Sequence, residues 1–151
     1  MTMFGVEDAE TEAAIRAYVK LMRASHAVSA RTAPRLIAAG LTHTQLGVLE
    51  ALLHLGPLTQ RDLSRKILTS PGNLTDVIDK LAKRDLVARV ACKEDRRSVR
   101  VVLTEAGRAF IESLFPGHAA DIGAAMSGVT GEDLATLDRL LRRLGIAAGD
   151  D

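Results

Sequence analysis

A chain of 151 residues suits one compact domain, or one domain with a dimerisation arm, and 47% hydrophobic with 26% charged residues excludes a disordered polymer. Aromatics make up 3% and tryptophan is absent, so the core must be aliphatic. The net charge of +1 excludes little; the absence of a signal peptide or of an apolar run long enough for a bilayer, and a single cysteine, Cys92, argue against a membrane or disulfide-stapled protein and favour the cytoplasm.

Residues from about Asp8 to Ala39 read as a long helix, with Pro34 starting a new turn or bending it. Thr42 opens a second helix, because Thr42 and Gln45 have capping-box spacing. Leu46, Leu49, Leu52 and Leu53 give that helix an apolar stripe, and Gly56-Pro57 ends it. Thr59 starts a short third helix with Asp62 in its first turn and Leu63 and Ile67 facing inward. In "TSPGNLTDVIDKLAKRDLV", Ser70 is a candidate N-cap and Pro71 takes the first helical position, where its missing N–H costs nothing. Leu74, Val77, Ile78 and Leu81 then follow at i, i+3, i+4, i+7, one buried stripe. The opposite face carries Asn73, Thr75, Asp76, Asp79, Lys80 and Lys83.

From Leu86 the period changes to 2. Val99, Val101 and Leu103 alternate with Ser98, Arg100 and Val102, and a charged turn joins two strands into a hairpin, with Cys92 on its first strand. Thr104 caps a helix from about Glu105 to Phe115, Phe115-Pro116-Gly117 interrupts or bends it, and helix resumes to about Met126. Thr130 caps the last helix, striped by Leu134, Leu137, Leu141 and Leu144. The fold class is therefore mostly α (α+β).

Charge is unevenly spread. Residues 61–108 hold 12 Lys/Arg against 7 Asp/Glu, and the remainder holds 8 against 12. A basic middle between acidic ends suggests a surface made for a polyanion. The element order explains its densest part, "KEDRRSVR". Two short helices joined by a tight turn form a helix-turn-helix, whose second helix can fill a major groove. A hairpin directly after it is a wing, and its basic tip would reach the adjacent minor groove, where narrow A·T-rich stretches attract arginine.

The run "LTHTQLGVLEALLHLGPLTQRDLSRKILTSPGNLTDVIDKLAKRDLVARVACKEDRRSVRVVLTEAGR" strongly resembles the MarR family of bacterial transcription regulators. Its most specific element is Asp95-Arg96-Arg97-Ser98, similar to that family's D-x-R-[S/A] wing signature, placed just before "LTEAG". The resemblance implies a winged helix-turn-helix over 42–104 and dimerisation helices over 8–39 and 105–147, all within a single domain, 1–151. It further implies a homodimer on a pseudo-palindromic operator in double-stranded DNA, and repression relieved by a small aromatic or phenolic ligand. Arg97 would be the wing arginine in the minor groove, oriented by Asp95 through a charge-assisted hydrogen bond. Arg96 and Lys93 would meet phosphates. Ser70, Pro71, Gly72, Asn73 and Thr75 occupy the leading end of the recognition helix, where Asn73 could read adenine. Ser64, Arg65 and Lys80 are phosphate candidates. Tyr18, Arg23 and His26 on the first helix are the available polar handles for a ligand.

Two positions depart from the family pattern. Asp85 replaces the glycine common after the recognition helix, and Asp tolerates the left-handed conformation better than most residues. Asp76 stands where many relatives carry arginine; it would repel phosphates or accept from cytosine N4. His26, His43, His54 and His118 are far apart in sequence and read as surface or interface residues, so no metal is expected, nor any cofactor. No catalytic spacing suggests an enzyme. Two readings compete with the regulator: a winged-helix module for protein association with no DNA target, and a nucleoid-type DNA binder with no ligand response.

Overall fold

The structure is a computed structural model and describes residues 5–67, 71–95 and 97–149. The elements run α1 (Ala9–Ala38), α2 (His43–Leu55), β1 (Leu58–Thr59), α3 (Gln60–Ile67), α4 (Pro71–Lys83), β2 (Val87–Ala91), β3 (Val99–Leu103), α5 (Glu105–Ala125) and α6 (Gly131–Gly149). They form two compact units, Ala33–Ala119 and Met1–Thr32 with Ala120–Asp151.

The first unit carries the core. Leu36, Leu46, Leu49, Leu63, Leu74, Ile78, Leu81, Val101 and Ile111 are all buried in it. Each such side chain contributes roughly 1.5–3 kcal/mol on leaving water. The stripe read on α4 is the face it buries: Leu74, Val77, Ile78 and Leu81 are buried, and the polar face opposite is exposed. The second unit has no buried hydrophobic residue among the described residues. It exposes instead Tyr18, Met22, Ile122, Leu134, Leu140, Leu141 and Leu144.

Local chemistry sets the element ends. Asp8 caps α1: its carboxylate accepts from the Thr11 hydroxyl and from the Thr11 and Glu10 N–H groups. Those bonds, the hydroxyl first, hold the Asp8 carboxyl below its ordinary range. Thr42 and Gln45 form the full capping box of α2, and Gly56, at φ 77°, closes that helix. Thr59 Oγ1 accepts from the Asp62 N–H at 3.2 Å at the start of α3. Pro71 is the first residue of α4; Ser70 lies outside the described residues.

The recognition-type helix α4 ends in a Schellman cap. Leu86 N–H donates to the Leu81 carbonyl and Asp85 N–H to that of Ala82, with Asp85 at φ 58°. Asp85→Gly should therefore relieve left-handed strain and raise stability, by about 0.5 kcal/mol after the extra freedom of glycine in the unfolded chain is deducted. Thermal melts of the two proteins would check it; an unchanged or lowered midpoint would count against the strain. Arg84, one residue earlier, donates to the Ala39 and Gly40 carbonyls at 3.1 and 2.9 Å and lies 5.2 Å from the Phe110 ring centroid. It ties the end of α4 to the end of α1 and to α5.

The sheet has the order β1-β3-β2, all antiparallel, with Leu58 opposite Val101 and Val87 opposite Leu103. β1 was not expected: two residues carry no readable period. Four other readings need correction. α5 is one helix from Glu105 to Ala125 and continues through Pro116, because a proline removes one donor while buried Ile111 and His118 hold the helix on either side. His118 is accordingly buried rather than at a surface, with Nε2 3.7 Å from the Glu50 carboxylate of α2. Val99 is exposed although Val101, two residues on, is buried, since the hairpin runs out past the core. Cys92 falls just after β2 rather than on it, half-buried, its N–H still donating to the Ser98 carbonyl.

Candidate nucleic-acid interface

α2, α3 and α4 form the helix-turn-helix, and β2–β3 follow α4 as a wing. On α4, Gly72, Asn73, Thr75, Asp76 and Lys80 are exposed. Lys80 and Asp76 pair across one turn at 2.9 Å, so the carboxylate that would repel phosphates is partly neutralised by its neighbour. Both side chains are about three-fifths exposed (61% and 62%), and a pair so open to water holds its lysine with less than ~1 kcal/mol. On α3, Arg65 is exposed, whereas Ser64 is half-buried and donates to the Arg61 carbonyl at 2.8 Å.

At the wing tip, Lys93, Asp95 and Arg97 are exposed, and Arg96 lies outside the described residues. The Asp95 contact differs from the expected one. Its Oδ1 accepts from the Arg97 backbone N–H at 3.0 Å, and its carbonyl accepts from the Ser98 N–H at 3.0 Å. Asp95 thus fixes the turn that carries Arg97.

One well-connected polar group here was not read from the sequence. Arg89, on β2, lies 2.7 Å from Asp79 Oδ1 of α4 and donates through Nε to Gln60 Oε1 at 3.3 Å. Gln60 Nε2 in turn donates to Thr75 Oγ1 at 3.1 Å. An arginine in a strand of alternating period gives no sign of three distant partners.

The ligand candidates on α1, Tyr18, Arg23 and His26, are all exposed. Tyr18 and Arg23 are five residues apart, about 140° around a helix, so they do not share a face. Among the described residues no group of three His, Cys, Asp or Glu could hold a metal ion. Among the described residues no single helix is long and apolar enough to cross a membrane.

Residues 41–99, from the last turn before α2 to the first residue of β3, match the MarR family. The HTH-type transcriptional regulator MhqR of Bacillus subtilis (strain 168) is 32% identical over 138 residues, 91% of this chain and 95% of MhqR. The chain belongs to the MarR family. The HTH-type transcriptional repressor MdtR of the same organism is 29% identical over 74% of this chain and 72% of its own. Among solved structures, one concerning the regulation of DNA binding of Bordetella bronchiseptica BpsR by 6-hydroxynicotinic acid superposes with a TM-score of 0.78. It is 27% identical and covers 86% of this chain and 98% of BpsR. As a MarR-family member the protein is a DNA-binding transcription regulator and not an enzyme.

Proposed function

We propose that this MarR-family protein is a ligand-responsive repressor that binds a pseudo-palindromic operator as a homodimer in the cytoplasm. The observation that carries the DNA half is the pairing of an exposed polar face on α4 with an exposed Arg97 on a turn locked by Asp95. The two fit a major groove and its neighbouring minor groove. Asn73, Thr75 and Asp76 face base edges, with Ser70, Pro71 and Gly72 at the leading end of the helix. Ser64, Arg65, Lys80, Lys93 and Arg96 serve phosphates. The dimerising parts are 8–39 and 105–147, and the apolar residues exposed on the second unit support that reading. Regulation of BpsR by 6-hydroxynicotinic acid supports a small aromatic acid as ligand, with Arg23 and His26, one turn apart on α1, as handles on one side of that helix and Tyr18 as the alternative handle on another.

The test separates the wing from the helix. Arg97→Ala should cost roughly 1–3 kcal/mol and weaken discrimination at the outer A·T positions, since groove width is what that arginine senses. Lys80→Ala should weaken binding to all sequences alike and lower the salt slope by about 1, the mark of one released counterion. Asp95→Ala should mimic a milder Arg97→Ala although it removes a negative charge, because it frees the turn. Titrations against a selected operator and a scrambled duplex at two salt concentrations read all three. Tighter binding by Asp95→Ala would reduce the wing to a basic patch. Salicylate at millimolar concentration tests the ligand: no binding and no release of DNA would remove the aromatic-acid reading and leave the DNA reading standing.

A further inference from the structure

Arg89 reaches two elements besides its own strand. Its side chain is one-third exposed, and its guanidinium lies 2.7 Å from Asp79 Oδ1 and 3.5 Å from the Thr75 carbonyl, two positions one turn apart on α4. Its Nε meets Gln60 Oε1, on the first residue of α3, at 3.3 Å. Gln60 closes the ring by donating to Thr75 Oγ1. An isolated surface ion pair between a strand and a helix would matter little. Here one planar fork holds a carboxylate, an amide oxygen and a main-chain carbonyl at once, which arginine can do and lysine cannot.

We propose that Arg89 is a positioning residue for operator recognition: it fixes the angle between the wing and α4, and so sets the offset between the minor-groove and major-groove contacts. The geometry leads there directly. Arg89 sits on β2, the strand that runs into the turn bearing Arg97. Thr75 and Asp79 sit on the helix that enters the major groove. The only covalent route from α4 to the wing tip runs through Arg84-Asp85-Leu86 and then along β2, so a hinge near the left-handed Asp85 would swing the tip unless something bridges it. Recognition tolerates errors of only about 0.5 Å in such a constellation. Thr75 then has a double part: its hydroxyl accepts from Gln60, so it serves to register α4 against α3 as well as to face the DNA.

The inference rests on the DNA-binding reading, and its test separates geometry from charge. The variants are Arg89→Lys, Arg89→Ala and Gln60→Ala, each alone and combined with Arg97→Ala, titrated against a selected operator and a scrambled duplex. Arg89→Lys keeps the charge and should still lose about tenfold in operator affinity, close to Arg89→Ala, with a smaller loss on the scrambled duplex. Arg97→Ala should add less than about twofold on top of either, because the arginine it removes is already misplaced. Gln60→Ala changes no charge and should show a weaker form of the same non-additivity; it and Arg89→Lys carry the test if Arg89→Ala unfolds. Full rescue by lysine would make Arg89 a phosphate contact and overturn the proposal, as would additive losses at positions 89 and 97. An unsubstituted protein that selects no operator would remove the DNA reading itself, a separate failure.

Discussion

Gly107→Ala should destabilise the protein by about 3 kcal/mol or more, and lower its melting temperature accordingly, although alanine is the better helix former by about 1 kcal/mol. The reason lies in the approach of α5 to the start of β2. A Cβ on Gly107 would stand 1.8 Å from the Leu86 carbonyl oxygen and 2.7 Å from its carbon. Both are backbone atoms, which no rotamer change can move. The same Leu86 carbonyl accepts from the Thr104 N–H at 3.2 Å, and its N–H closes the Schellman cap of α4. Thr104 Oγ1 accepts from the Gly107 N–H and donates to the Asp85 carbonyl. The glycine is therefore the contact point of a joint through which the end of α4, the root of the wing and the first turn of α5 are registered. Moving Leu86 to make room would disturb all three. Denaturant melts would give the stability and a titration the operator affinity, with both expected to fall. A variant as stable as the unsubstituted protein would mean that the joint opens at little cost.

The elements legible in the sequence were those governed by neighbours close along the chain. The capping box of Thr42 and Gln45, the proline opening α4, the i, i+3, i+4, i+7 stripe of that helix and the period-2 hairpin each need only a window of about ten residues. The left-handed Asp85 was legible because one side chain had to fill a position where glycine is common. What escaped depends on groups brought together by packing. Arg84 reaches carbonyls 44 and 45 residues away, and Arg89 reaches Gln60 29 residues back. Neither has a local signature that separates it from a solvated basic residue. Pro116 shows the reverse error where an interruption was expected: its local rule is correct, one donor is lost, but the helix runs on through it with buried Ile111 and His118 on either side. At the wing the contact differs from the expected one. Asp95 was expected to hold the Arg97 guanidinium, and it holds the main chain instead. Sequence gives the pair and its spacing, while the choice between side chain and backbone is made by the turn.

The second large effect is expected from Leu141→Glu. Leu134, Leu141 and Leu144 lie on α6 with 39%, 40% and 51% of their surfaces exposed, and no residue of α6 is buried. Tyr18 and Met22 on α1 and Ile122 on α5 are similarly bare. Large apolar side chains left exposed on three helices of one unit mark an interaction site. A second copy is the partner that the homodimer reading assigns to it. In a two-fold dimer each substitution appears twice at the interface, so Leu141→Glu would place two carboxylates against apolar neighbours, at several kcal/mol each. Sedimentation at micromolar concentration should change from dimer to monomer. Operator affinity should fall about 100-fold or more, because the second half-site is no longer held at high effective concentration. Binding to a single half-site should change much less, since the core of Ala33–Ala119 does not include Leu141. Arg139→Glu, about 160° around the same helix from Leu141, is the control and should leave the dimer intact. A Leu141→Glu protein that remains dimeric and binds its operator undiminished would remove both the interface on α6 and the two-half-site operator that depends on it.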